Sequence, residues 1–208
     1  MWPAPQPDPA RNKGPGDAPW YSFDYGPIHF TVMSTEHAYA PGSAQHEWLK
    51  QDLLGGGHDD GALDKAKTPF CVFTGHRPMY INTTWPPDLA DTAAMRAALE
   101  PLLLEAGVDL AFWGHHHSYQ RTCATFNLTC RAAGTAPVHM VVGTGGGALM
   151  SNFPPGELTT PWLDVLDDTN FGFVHLDADA ETMVARYVVD NGAAVRDEVV
   201  FHAKATTA

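Results

Sequence analysis

Apolar side chains fall in dense short blocks at residues 28–33 (IHFTVM), 70–73 (FCVF), 108–113 (VDLAFW) and 138–142 (VHMVV). Blocks of this length, bounded by Gly or Pro, predict buried strands. Residues 20–26 (WYSFDYG) lead into the first block through a turn at Gly26-Pro27. Between the strands the spacing changes. Ser43 offers an N-cap, and Trp48, Leu49, Asp52 and Leu53 put a partly apolar face on a helix that stops at Gly55-Gly56-Gly57. His46 and Glu47 read as its surface, since the second histidine of a zinc-protease pattern is missing. A second helix is predicted over residues 93–106, capped by Asp91 or Thr92, kinked or restarted at Pro101 and ended by Gly107. Residues 77–88, with three prolines and Asn82, read as a surface loop. Strand, helix, strand, helix, strand over residues 28–113 is the βαβ alternation of a mainly parallel, right-handed sheet, so the fold class is α/β.

Beyond Cys130 the pattern shifts. The strand at residues 138–142 runs into Gly143-Thr144-Gly145-Gly146-Gly147, which lacks the Gly-Lys-Ser/Thr of a phosphate-binding loop and reads as a structural turn. Residues 151–168 look loop-like. Residues 171–176, 182–189 and 195–202 alternate as strands, with a hairpin turn at Asp190-Asn191-Gly192, and predict an antiparallel C-terminal layer. Residues 1–19 are rich in Pro and Gly and read as an extended lead-in.

Two predicted strands end in Gly-His, at Gly75-His76 and at Gly114-His115, which His116 and His117 follow at once. In α/β sheets ligands gather beyond the carboxyl ends of the strands, so these imidazoles belong on one rim, as metal ligands or as acid/base groups. Composition narrows the partners. Twelve basic against 24 acidic residues give the 208-residue chain a net charge of −12, which repels a phosphate backbone and argues against general nucleic-acid binding. No run approaches the ~18 apolar residues of a membrane-spanning helix, so no membrane partner is expected. Cys71 sits in an apolar block as a buried thiol, whereas Cys123 and Cys130 flank a short loop and are expected to pair. That loop holds the sequon Asn127-Leu128-Thr129, and Asn82-Thr83-Thr84 is a second, so the chain leans towards an oxidising, secretory compartment. The opening residues have neither the basic nor the apolar region of a signal peptide, which places the expected natural start upstream.

TGHRPMY around His76 and GHHHSYQRTC around His115 and His117 resemble the last two of the five metal-binding motifs of purple acid phosphatases, members of the calcineurin-like metallophosphoesterase superfamily. WYSFDYGPIHFTVMSTE, HEWLKQDL, LEPLLLEAGVDLAFWGH and VHMVVGTGGG resemble further segments of that family in order, so the likeness spans residues 20–202. The resemblance implies a metallophosphoesterase β-sandwich with flanking helices and an antiparallel C-terminal layer. Residues 1–19 would be the lead-in, 20–135 the second half of the metallophosphoesterase domain, 136–203 the C-terminal strands and 204–208 a tail. It also implies a binuclear centre of Fe(III) with Zn, Mn or Fe(II) that hydrolyses small phosphate monoesters at acid pH, in a glycoprotein that is secreted or vacuolar/lysosomal. By position, His76 and His115 would ligate the divalent ion and His117 the Fe(III), with His116 in the variable place between them.

The departures from the family pattern matter equally. Its earlier motifs, Gly-Asp-x-Gly, Gly-Asp-x-x-Tyr and Gly-Asn-His-Glu, should precede WYSFDYG, and nothing in residues 1–19 matches them. Asp17, in GDAPW, follows no strand and stands among prolines; Asp24 and Asp88 fall in a predicted turn and a predicted surface loop. The binuclear centre is therefore expected to be incomplete in this chain. Thr84 and Trp85 stand where some plant members carry paired histidines. Arg77 reads either as a phosphate contact or as a brace between carboxylates, and Tyr119 and Arg121 as packing against the Cys123–Cys130 loop or as substrate contacts. His29, His37, His139, His175 and His202 receive no role. Two readings follow: the C-terminal part of an acid phosphatase-like hydrolase, or a non-catalytic truncated domain that acts through interaction.

Overall fold

A computed structural model describes residues 18–55, 62–154, 160–189 and 192–204. In chain order the elements are β1 (Tyr21–Tyr25), β2 (Ile28–Val32), α1 (Ala44–Leu54), β3 (Phe70–Gly75), α2 (Pro86–Glu105), β4 (Leu110–Trp113), β5 (Tyr119–Phe126), β6 (Thr129–Cys130) and β7 (Val138–Val142). Then follow β8 (Leu163–Asp167), β9 (Gly172–Ala178), β10 (Thr182–Val189) and β11 (Ala194–His202). The main sheet has the order β1-β2-β3-β4-β7-β5-β6, with β8 paired to β5, and a second sheet has the order β11-β10-β9. Strands β2, β3, β4 and β7 run parallel, while β1 and β5 join antiparallel on either side.

Burial on both faces explains the dense apolar blocks. Along β3, Cys71 and Phe73 face α1 and α2 and pack in one cluster with Leu49, Leu53, Met95, Leu99 and Leu103. Phe70 and Val72 face the other way and share a cluster with Met183, Ala185 and Phe201 of the small sheet. The result is three layers: helices, mixed sheet, antiparallel sheet. Where the sheets meet, the Tyr119 and Tyr187 rings stack 3.9 Å apart, and the Tyr119 hydroxyl donates to Asp197 over 2.6 Å. Arg121 forks onto the same carboxylate through Nε at 2.6 Å and Nη2 at 3.1 Å. Tyr119 and Arg121 thus fasten the C-terminal sheet, rather than the Cys123–Cys130 loop or a substrate.

Several predicted boundaries move, each for a physical reason. Helix α2 begins at Pro86, not at residue 93, because prolines suit the first helical positions, whose N–H groups have no intrahelical acceptor. Pro101 lies inside the helix, which continues past it and ends where Gly107 turns to φ +63°. His46 is buried, with Nε2 3.3 Å from the Ala98 carbonyl, so it fills the α1–α2 contact instead of the surface. Strand β5 escaped the apolar pattern because buried positions along it are polar: Gln120 donates to the Asn82 carbonyl, and the Thr122 hydroxyl accepts from the His139 N–H. Residues 163–167 form edge strand β8 rather than loop. Cys123 and Cys130 form a disulfide, while Cys71 is a buried free thiol that burial pushes up to about 12. The Gly56-Gly57 helix stop, the Asp190-Asn191 turn and residues 1–17 lie outside the described residues. No helix among the described residues is long and apolar enough to cross a membrane.

Candidate metal centre

Strands β3 and β4 are parallel neighbours, so the residues that follow them emerge on the same rim. His76 comes directly after β3, and His115 follows β4 by way of Gly114. The Gly114 N–H donates to the His76 carbonyl over 2.9 Å and ties the two turns together. Gly75 keeps this approach uncrowded, since a Cβ there would lie 3.0 Å from Met33 and 3.1 Å from Trp113 and those side chains would have to give way. The rings of His76 and His115 meet edge-on with centroids 5.1 Å apart, and His115 Nδ1 stands 3.3 Å from His76 Nε2. His115 holds a left-handed φ of +66°. A non-glycine residue there stores on the order of 1 kcal/mol or more, which persists where the surroundings dictate the position.

A carboxylate that sequence reasoning placed in a surface loop completes this arrangement. Asp88 is in the first turn of α2, buried, with Oδ1 3.2 Å from His115 Nε2. A carboxylate only accepts, so Nε2 carries the proton and the Nδ1 lone pair faces His76. His117 follows the same rule with another partner: its Nδ1–H donates to the Ala148 carbonyl over 2.7 Å, which leaves the lone pair on Nε2. Gly147 permits that contact, because a Cβ would stand 2.8 Å from His117 Cε1. His116 is turned inward and buried, with Nδ1 2.9 Å from the Ser118 hydroxyl and Nε2 2.9 Å from Asn152 Oδ1. The glycine run after β7 therefore cradles His116 and His117: a Cβ on Gly143 would collide with the His116 carbonyl.

The surroundings bias His76 towards its neutral form. Burial, the neighbouring His115 and Arg77 together hold His76 below the ordinary histidine range, against the pull of Glu36. Arg77 spends its donors on carboxylates, with Nε 2.9 Å from Glu36 and Nη1 2.9 Å from Asp91, so it braces the rim. A cleft of about 600 Å³ opens beside the pair, lined by Trp85, Asp88, His115, His116, Met150, Ser151 and Asn152. Trp85 and Met150 are exposed in it.

Two family profiles divide the chain. "Calcineurin-like phosphoesterase" matches residues 10–119, over half of the sequence, and "Iron/zinc purple acid phosphatase-like protein C" matches residues 136–198. The chain belongs to the calcineurin-like metallophosphoesterases of purple acid phosphatase type. "Probable inactive purple acid phosphatase 9" of Arabidopsis thaliana is 36% identical to it over 86% of the chain, and "Purple acid phosphatase 15" of the same plant is 34% identical over 74%. The chain spans 28% of the length of each of these relatives. The purple acid phosphatase PPD1 of yellow lupin seeds superposes with a TM-score of 0.73 at 26% identity, covering 88% of this chain and 32% of that structure.

The iron/zinc chemistry of the family can be tested against the donors present. Two imidazole nitrogens bound tetrahedrally to zinc at 2.0–2.1 Å stand about 3.3–3.4 Å apart, and the His76–His115 separation is 3.3 Å. The pair fits one divalent ion. A binuclear centre does not fit: among the described residues no group of three or more His, Cys, Asp or Glu is placed to hold a metal ion, and the pair has no bridging carboxylate. Asp88 is engaged behind His115, where it orients the ring.

Proposed function

We propose that this chain carries the histidine part of a metal-dependent phosphate monoester hydrolase site of the acid phosphatase type. His76 Nε2 and His115 Nδ1 would be ligands for one divalent ion, and His117 Nε2 would be a lone contribution to an Fe(III) site whose other donors are not among the described residues. The observation that carries this reading is that His115 and His117 each donate one ring N–H to a fixed acceptor, Asp88 and the Ala148 carbonyl, and keep the other nitrogen as a lone pair. Ligating histidines are characteristically held in this way, with tautomer and ring plane set from behind. A divalent ion held by the pair would supply Lewis acidity towards a bound water. This chain's own part is to orient imidazoles and to offer a cleft walled by Trp85 and Met150 for the organic group of the ester.

The donor set is incomplete as it stands. Three neutral imidazoles leave the charge of an Fe(III) and divalent pair uncompensated, and none of the family's bridging carboxylate motifs occurs in the 208 residues. The expectation is that the chain takes up a single divalent ion and hydrolyses p-nitrophenyl phosphate at acid pH only weakly when Fe and Zn or Mn are supplied. Full turnover that His115→Ala abolishes would overturn the incompleteness; failure to take up zinc would overturn the ligand assignment itself. The alternative reading, a non-catalytic domain, is favoured by the commitment of Arg77 to two carboxylates and by Pro86-Pro87, which remove two of the N–H donors that the start of α2 could offer a phosphate. The name of the relative "Probable inactive purple acid phosphatase 9" supports it as well. The disulfide supports a secreted or vacuolar/lysosomal location in either case.

A further inference from the structure

The two N-glycosylation sequons stand in opposite environments. Asn82 and Thr83 are both 4% exposed. The Asn82 backbone is clamped by Gln120, which accepts from its N–H over 2.7 Å and donates to its carbonyl over 3.1 Å, while Asn82 Oδ1 accepts from the Thr160 hydroxyl. The Thr83 hydroxyl accepts from the Trp85 N–H and from Asn152 Nδ2. An oligosaccharide on Asn82 would have to displace that packed network.

Asn127 is the reverse case. It lies exposed at the tip of the β5–β6 hairpin, where Phe126 pairs with Thr129 and both intervening residues have positive φ, +51° for Asn127 and +59° for Leu128. Two left-handed residues make the tight turn that joins antiparallel strands, and asparagine tolerates that conformation. The tip is anchored through its backbone: the Asn127 N–H donates to Glu100 over 2.9 Å and the Leu128 N–H to the Tyr80 hydroxyl over 3.3 Å. The Asn127 side-chain amide makes no hydrogen bond among the described residues. The Cys123–Cys130 disulfide closes the same hairpin, so one short segment carries both marks of an oxidising secretory lumen.

We propose that Asn127 is an N-glycosylation site and that Asn82 carries no glycan in the folded protein. The donor is an oligosaccharide linked to a lipid pyrophosphate. Its anomeric carbon–oxygen bond breaks, a bond from that carbon to Asn127 Nδ2 forms, the amide gives up one proton, and the lipid pyrophosphate departs with the electron pair. Transfer precedes folding, so burial selects afterwards: a chain modified at Asn82 has no room for the sugar beside that buried side chain, whereas Asn127 is exposed at a hairpin tip. This assignment is independent of the metal ligands. The test is to direct the full chain into the secretory pathway of eukaryotic cells and recover it from the medium or, protease-resistant, from their microsomes. Peptide:N-glycosidase treatment, which converts a glycosylated Asn to Asp, then locates the site by peptide mass mapping. The expected result is conversion at Asn127 alone, with the mobility shift lost in both Asn127→Gln and Thr129→Ala. Conversion at Asn82, or no glycan on the recovered wild-type chain, would overturn the proposal.

Discussion

Replacing Asp88 with alanine removes the acceptor that holds the Nε2–H of His115, and the size of the loss follows from the geometry. The contact is 3.2 Å long, with the carboxylate side chain 7% exposed and the imidazole 29% exposed, so solvent screens it only partly. A hydrogen bond to a charged group in such a setting contributes about 1.5–3 kcal/mol. If the contact orients a ligand, that energy appears in metal affinity as a loss of roughly 10–100-fold. Asp88→Asn keeps an acceptor oxygen but loses the charge and should fall between wild type and Asp88→Ala.

The folded state also changes, and the two effects separate experimentally. Asp88 is the acidic residue in the first turn of α2, where a negative charge favours the helix by about 0.3–1 kcal/mol. Urea denaturation without metal reads that term together with the lost His115 contact, which the metal-free fold already makes. Calorimetric titration with Zn(II) or Co(II) reads affinity, with His115→Ala as the reference that removes a ligand outright. If Asp88→Ala binds zinc within about twofold of wild type while His115→Ala does not bind, the orienting role of Asp88 is wrong and the ligand assignment stands. If His115→Ala binds as wild type does, the histidine pair is not the site.

Three further outcomes are expected. Reducing the Cys123–Cys130 bridge, which spans a sequence separation of 7, should lower stability by about 2.5 kcal/mol in the chain-entropy model; equal urea midpoints with and without reductant would refute this. Burial opposes a charge on His29, yet contacts with Asp24 and Asp52 override it and push the group up to about 9. Its contribution, about 3 kcal/mol, is therefore fully present below pH 6.5 and lost as pH rises towards 9; His29→Gln should flatten that dependence, and an unchanged slope would refute the assignment. Arg121→Ala leaves Asp197 without its buried partner and should cost about 3–5 kcal/mol, loosening β9 to β11 first. Hydrogen exchange that rises uniformly over the protein, with no excess in those strands, would contradict that order.

The sequence revealed those elements whose burial is mostly apolar on both faces. Strand β3 was legible because Cys71 and Phe73 serve the helices while Phe70 and Val72 serve the small sheet, and β2, β4 and β7 keep enough apolar positions around the buried His29, Thr31 and His139 to show the same pattern. Strand β5 sits as centrally yet was missed. Gln120 and Thr122 are both 2% exposed and are stabilised by hydrogen bonds to Asn82 and His139, partners distant in sequence that no local pattern reports. His46 was misread for the same reason, since its partner Ala98 lies on the other helix. Periodicity reports contact with apolar neighbours and is blind to buried polar groups that find remote acceptors.

The candidate site divides along the same line. His76, His115 and His117 announce themselves because each follows a glycine or lies within three residues of one at a strand end, a local signal. Asp88 and the Ala148 carbonyl, which decide where the protons sit, come from the start of a helix and from a glycine loop and have no signature as ligand supports. One clue was present and pointed the wrong way. Pro86 and Pro87 suggested a loop, but two prolines at the first helical positions start α2 early, and that early start puts Asp88 in a buried first turn facing His115. A helix beginning at residue 93 would leave Asp88 ahead of its first turn, outside the position from which it reaches the ring. The proline pair that removes phosphate-binding N–H groups from the helix end is thus the feature that brings a carboxylate to the histidine, and the same choice tilts this rim towards holding a cation and away from holding an anion directly.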